Sequence, residues 1–466
     1  MKKIDMTQGR VSTLLLTLAL PIIGSSLLQF TYQLVDMLWV GRLGSEAVAS
    51  VGSSTFFIGL GYAIQSFVVI GTGISVAHAI GEKNKIKIKS YINAGTLINL
   101  IVGALYALFL TLSAKRLIGF LDLNHAGVSQ GATHYLLISA PMLFFNFFNL
   151  LYARLLNAHG NNQEVLKINL IGILLNLTLD PILIYGCGQG VSGAAWASLI
   201  ANGVMTLLFY SRFRPLFRFQ PSIGFERKAA WDIVRLGFPM ALQRILFTFV
   251  NIVLAKCIAI FGQEAIAAQK IGLQLESIVF MVIGGINGAI ASFVGQNHGA
   301  IQNDRIRIGV NYALGLAVGY AAVASLLFIL IPRPLTLLFI QEEHPIRMTC
   351  HYLQVIACSQ LFSAIEMVLN GFFTGIKRPN IPALISIIFT CLRIPLALLL
   401  MKPFGVTGIW LSIAISSLLK GCMSYYLYRR IVRRRLLSGK DTTSDDQSDH
   451  RHDTDHSIDA KGICCE

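Results

Sequence analysis

Two carboxylates, Asp36 and Asp180, lie within runs of residues that are otherwise apolar over membrane-crossing lengths. A carboxylate is costly to keep in hydrocarbon, so its presence there points to the binding or passage of a proton or a cation. Gln29, Tyr32, Gln33 and Asp36 fall at helical spacings of three, four and seven residues and share one polar face. Asn176 precedes Asp180 by four residues and stacks on the same side of its helix, while Pro181 frees a backbone carbonyl one turn below. Ser198, in the next run, adds a hydroxyl. At about 1.5 Å of rise per residue, successive antiparallel helices put Asp36, Asp180 and Ser198 in one outward-lying layer, with Asn176 about one turn deeper. Two carboxylates in one low-dielectric pocket do not both ionise cheaply. Either one holds a proton or a monovalent cation binds between them, and both outcomes allow ion coupling. The plainer reading makes Asp36 a helix-end cap, and makes Asn176, Ser198 and Gln29 packing hydrogen bonders worth roughly 0.6 to 2 kcal/mol each. The set taken together favours a site.

The elements that must hold these groups are membrane helices. The chain has 466 residues, is 54% hydrophobic and has a mean hydropathy of +0.64. Spanning stretches of roughly 20 residues can be drawn at 12–39, 47–76, 91–113, 132–156, 164–186, 190–211, 231–260, 265–294, 308–330, 349–372, 379–401 and 405–428. A β-barrel would show short alternating strands instead. The fold class is therefore an all-α membrane protein with twelve transmembrane helices.

The net charge of +15 follows the connections rather than a nucleic-acid surface. Lys83, Lys85, Lys87 and Lys89, the basic residues from Arg212 to Lys228, and Arg429, Arg430 and Arg433 to Arg435 all fall on one side. The positive-inside rule then puts both termini in the cytoplasm of a multi-pass inner (plasma) membrane protein, with the bilayer as partner and no nucleic acid. The first apolar run lacks a small-residue cleavage pattern before Gln29 and reads as a retained helix. Eight cysteines are scattered without metal or disulfide spacing, and those within the runs read as small apolar fillers. Within the apolar runs no nucleophile and base pair, and no pair of histidines four apart, suggests an enzyme. No cofactor is expected beyond a coupling ion.

The chain repeats itself. Pro21 and Gly44 recur as Pro239 and Gly262, at an offset of 218, and Gly190-Val191-Ser192-Gly193 returns as Gly405-Val406-Thr407-Gly408. Six helices occur twice, which makes the repeats parallel, a plan suited to alternating access. The expected organisation is a six-helix lobe at 1–215, a cytoplasmic linker at 216–230, a second lobe at 231–430 and a disordered tail at 431–466. His450, His452 and His456 in the tail are read as solvated. Asp36 maps to Leu254 and, at an offset of 217, Asp180 maps to Ala397, so the acids were not duplicated. The second half carries Lys256, Glu276, Glu366 and Arg393 instead, whose mixed signs allow internal pairing.

The run from Leu20-Pro21 to Asp36-Met37-Leu38-Trp39-Val40-Gly41-Arg42-Leu43-Gly44 resembles the MATE multidrug and toxic compound extrusion family. So do Asn176-Leu177-Thr178-Leu179-Asp180-Pro181, Gly193-Ala194-Ala195-Trp196-Ala197-Ser198 and Ser292-Phe293-Val294-Gly295-Gln296-Asn297. The likeness is to the prokaryotic DinF-like and NorM-like branches and covers all twelve helices. It implies two pseudo-symmetric six-helix bundles of the MOP superfamily, and an antiporter that exports amphipathic, often cationic organic compounds against entering Na+ or H+. Asp36, Asn176, Asp180 and Ser198 would couple the cation, with Asp36, Asn176 and Asp180 holding Na+ if sodium is used. Pro21 would bend the first helix. Gln29, Tyr32, Gln33 and Glu276 are expected to meet substrate, with the protein acting as a monomer. The alternative in the same superfamily is a lipid-linked precursor flippase.

Overall fold

In hydrocarbon the backbone has no hydrogen-bond partner except itself, and these apolar runs accordingly fold as helix from end to end. The computed structural model describes residues 5–121, 126–340 and 342–435, with side chains to residue 432. In the first half lie α1 (Val11–Gly41), α2 (Ser45–Gly81), α3 (Lys85–Phe120), α4 (Ala126–Ala158), α5 (Asn162–Pro181), a π-turn (Ile182–Gly186) and α6 (Gly190–Arg212). The short α7 (Arg214–Phe217) leads into α8 (Arg227–Ala259), α9 (Gln263–Gly299), α10 (Asn303–Leu330), the short α11 (Pro332–Leu337) and α12 (Glu343–Gly375). They are followed by α13 (Asn380–Cys391), α14 (Arg393–Phe404) and α15 (Val406–Arg435). With α5 joined to its π-turn and α13 to α14, twelve described segments are long and apolar enough to cross a membrane.

Helices outrun the apolar windows at several ends, because hydrogen bonding continues where hydropathy stops. α3 begins at Lys85 rather than 91, and α12 at Glu343 rather than 349. The eleventh run is two helices rather than one. Pro395 lacks the N–H that would bond the Cys391 carbonyl, and the break falls between Cys391 and Arg393. At the other end, α15 runs helical to Arg435, past the expected tail start at 431. Among the described residues, those up to Tyr425 form one compact unit and those from Tyr426 to Arg435 belong to a second. The rest of the expected tail, with its three histidines, lies outside the described residues. The cysteines expected as fillers include Cys358, Cys391 and Cys422 on exposed helix faces, where a lipid surround accepts them.

The sequence repeat is also a repeat of backbone. α2 and α9 both have 37 residues, and α4 and α12 both have 33. Gly44 and Gly262 precede α2 and α9 with φ of 105° and 97°, a conformation that side chains resist. The two halves meet where backbones touch: a Cβ on Gly237 of α8 would fall 1.9 Å from the Phe67 carbonyl oxygen of α2, and one on Gly71 would fall 2.0 Å from the Ile233 oxygen. Small residues permit such approach between membrane helices. About two turns beyond Gly71 on α2, His78 Nε2 lies 3.0 Å from His298 Nδ1 of α9. The connection between halves is strapped down. The Phe217 ring stacks on Tyr152 at 4.1 Å. The Asn93 side-chain amide donates to the carbonyls of Gln220 (3.0 Å) and Gly224 (3.1 Å).

Candidate functional site

α1 runs unbroken through the buried Pro21 and carries Tyr32 and Asp36 one turn apart. α5 stops at Pro181, just after Asp180, and the chain widens into the π-turn, where Cys187 N–H donates to the Ile182 oxygen at 2.8 Å. That short reversal returns the chain along α6 and sets Ser198 opposite Asn176 and Tyr32. Tyr32 Oη and Ser198 Oγ are 3.0 Å apart. The Asn176 amide, oriented by its hydrogen bonds, donates to Asp180 Oδ2 at 3.0 Å and accepts from Ser198 N–H at 3.0 Å. Asp180 is 0% exposed, and Asn176 and Ser198 are buried with it.

Asp36 and Asp180 lie within electrostatic reach of each other, and the buried Tyr135 phenol is within reach of both. In each acid one oxygen, Oδ1, is buried without a hydrogen-bond partner. Such an atom costs about 1 to 3 kcal/mol when neutral and more when charged. A proton or a hard monovalent cation relieves that cost, and the surrounding donor set of carboxylate, amide, hydroxyl and phenol is oxygen-rich, as such a cation requires. Among the described residues no three His, Cys, Asp or Glu side chains gather as a site for a resident metal.

Beside the acids is a cavity of about 110 Å³ lined by Gln29, Tyr32 and Asn176, by Asn146, Asn149 and Asn202, and by apolar Ile173 and Met205. Its amides form a chain that ends at the acid site. Asn146 Nδ2 donates to Asn202 Oδ1 (2.9 Å), Thr206 Oγ1 to Asn149 Oδ1 (2.8 Å), and Asn202 Nδ2 to the Ser198 carbonyl (2.9 Å). The sequence reading omitted these three asparagines. Their signal is the spacing, Asn146 and Asn149 three apart on α4 and Asn202 four beyond Ser198 on α6. Gln33 is exposed and does not line the cavity.

Glu276 stands apart from this chamber, in the second half. Its two oxygens accept from Tyr352 Oη and Gln360 Nε2, both at 2.6 Å. The expected charge pairing there is not what the side chains do. Lys256 is exposed at the end of α8. Neither Glu276 nor Glu366 makes a contact ion pair with Arg393, and the Glu276 oxygens are taken by neutral donors. Arg393 Nε donates to Ser416 Oγ at 2.8 Å. The buried lysine is Lys420, which the sequence reading passed over; its Nζ donates to Thr390 Oγ1 at 2.6 Å.

The MatE family model matches residues 21–182 and again 239–399, the two stretches that the repeat relates. A probable multidrug resistance protein NorM of Thermotoga maritima is 24% identical over 437 residues, covering 91% of this chain and 94% of that protein. A FAD transporter of Shewanella oneidensis is 26% identical over 439 residues, covering 91% and 95%. A solved structure described as an outward-facing conformation of a multidrug resistance MATE family transporter of the MOP superfamily shares the fold. It matches with a TM-score of 0.86 at 21% identity, over 93% of this chain and 98% of that one. With twelve membrane-length helices, a repeat in sequence and backbone, and a family match in both halves, the chain belongs to the MatE family and is a multi-pass membrane transporter, not an enzyme.

Proposed function

We propose that the chain is a cation-coupled antiporter that exports amphipathic, often cationic organic compounds while Na+ or H+ enters. It would work as a monomer by alternating access in the inner membrane, with both termini cytoplasmic. The observation that carries this reading is the pair of acids, each with a buried oxygen lacking a hydrogen-bond partner, of which Asp180 is joined through Asn176, Ser198 and Tyr32 to an amide-lined chamber. Multidrug resistance relatives support the export of organic compounds, and the FAD transporter among the relatives widens the range of substrates. When the acids are charged, they favour a cation in the chamber. When Na+ or H+ occupies them from outside, that attraction falls, Tyr32 and Ser198 readjust, and α1 bends at Pro21 to shrink the chamber. One charge moving through the membrane potential supplies about 2.3 kcal/mol per 100 mV to drive the cycle.

Ethidium efflux from cells lacking other pumps tests the role of Asp36. Asp36→Asn at normal expression is expected to reduce efflux to background, and undiminished efflux would remove the acid from the mechanism. The flippase is the second reading, favoured by buried Arg393 and Lys420, which suit an anionic head group. Rescue of an envelope-synthesis defect by this chain would select it over efflux.

A further inference from the structure

The repeat that duplicated the helices also gives residues of the first-half chamber counterparts in the second half. Gln29, Asn149, Asn176, Asn202 and Met205 line the first-half cavity. At the offsets of 218 for α1, 217 for α4 and α5, and 215 for α6, they map to Phe247, Glu366, Arg393, Ser417 and Lys420. These are the members of the second-half cluster. We propose that this counterpart cluster is a second binding site of opposite sign, which takes the carboxylate or phosphate of a transported organic anion. The proposal rests on the transporter reading and names a substrate class that the acid pair alone would not accept.

Three observations lead there. First, Arg393 and Lys420 are each only 6% exposed, yet among the described residues no carboxylate lies within ion-pair distance of either. They are held by hydroxyls of Ser416 and Thr390 and by one shared ring, Phe247, whose centroid is 5.7 Å from the guanidinium and 5.9 Å from the ammonium. Buried cations solvated only by neutral groups are under-compensated. Second, the carboxylates nearby are not free partners. Glu276 is saturated by Tyr352 and Gln360, and Glu366 is within electrostatic reach of both cations but touches neither.

Third, the site has an aqueous side. Phe247 is 41% exposed and shares a face of α8 with Arg244, Thr248 and Asn251, all exposed. An arginine midway along a membrane helix faces a water-filled space rather than lipid. A guanidinium fork, an ammonium and several hydroxyl donors match an oxyanion, and the open face of Phe247 suits an aromatic body. Glu366 then competes with the ligand's acid for the same two cations. That competition gives the test its sign.

Binding of 1-naphthyl phosphate, 1-naphthoate and neutral 1-naphthalenemethanol to the purified full-length protein would be measured by calorimetry in detergent. The two acids are expected to bind at least tenfold more tightly than the alcohol. Lys420→Gln and Arg393→Gln should each weaken the acids at least tenfold, whereas Glu366→Gln should tighten them severalfold. Equal binding of acid and alcohol, or weakening by Glu366→Gln as well as by Lys420→Gln, would overturn the site in favour of a structural charge cluster. If the glutamine variants fail to fold, Lys420→Arg retains the charge and should retain acid binding. Saturation of the unmodified protein with naphthyl phosphate should also raise its thermal midpoint where the alcohol does not, and no difference between the two would count against the site. Displacement of naphthyl phosphate by phosphatidylglycerol at lower concentration than by inorganic phosphate would reassign the site to a lipid head group and end the transport claim. Ethidium export by the same preparation in vesicles is measured alongside. Export without acid binding sinks this inference alone, and loss of both sinks the antiporter reading too.

Discussion

The first and second halves share a frame and differ in the sign of the charge they bury. Around the first chamber stand Asp36 and Asp180, and at their repeat positions the second half has Leu254 and Ala397, both almost fully buried. The second half instead buries Arg393 and Lys420, where the first has Asn176 and Met205. The lengths of α2 and α9, those of α4 and α12, and the glycine turns before α2 and α9 match between the halves. The comparison teaches that the frame comes from apolar runs and turn positions spread over the whole chain, whereas each site's chemistry depends on about four side chains. Such a division lets one half hold the coupling ion while the other is free to hold something else.

The largest expected effect is on the acid that the second half lacks. Asp180→Asn should abolish ethidium export, at least a tenfold fall, and Ala397→Asp should not restore it, because the second site has no counterpart of Asp36. Restoration by Ala397→Asp would show that the halves are interchangeable and break the comparison. Next is the contact that holds the halves together. Gly237→Leu forces a side chain into the Phe67 carbonyl and should cost about 1 to 3 kcal/mol or more, seen as a lowered thermal midpoint and loss of the monodisperse peak on size-exclusion chromatography. Ser198→Ala removes the Tyr32 bond and one site oxygen. It should raise the coupling-ion concentration for half-maximal export threefold to tenfold, consistent with about 1 kcal/mol for one hydrogen bond, and Ser198→Thr should restore it. The smallest effect is expected at Gln33→Ala, less than twofold on the substrate KM, against a severalfold rise for Gln29→Ala.

Much of this was legible in the residues. All twelve spans could be drawn because a membrane helix needs a continuous apolar run, a strong signal, and the acids stood out because hydrocarbon makes them costly. Tyr32, Asn176, Asp180 and Ser198 were found by helical spacing plus depth, which is why the structure brings them together. Four things were missed or misread for identifiable reasons. Asn146, Asn149 and Asn202 are common packing groups taken one at a time, and only their convergence from α4 and α6 makes a chamber. Lys420 lies toward the basic end of the last run, where a lysine reads as topology. Lys256 was read as a partner on sign alone, though the turn of α8 that carries it leaves it exposed. The connection between halves looked like a polar link because its charges outnumber Phe213 and Phe217, the residues that pin it.

The central claim, that Asp36 and Asp180 exchange a coupling ion for an organic cation, is tested most directly in proteoliposomes. Organic-cation transport would be followed under separately imposed Na+ and proton gradients for the unmodified protein and for Asp36→Asn and Asp180→Asn. One of the two gradients is expected to drive transport in the unmodified protein and neither in the variants. Gradient-driven transport that survives loss of both acids would contradict the account.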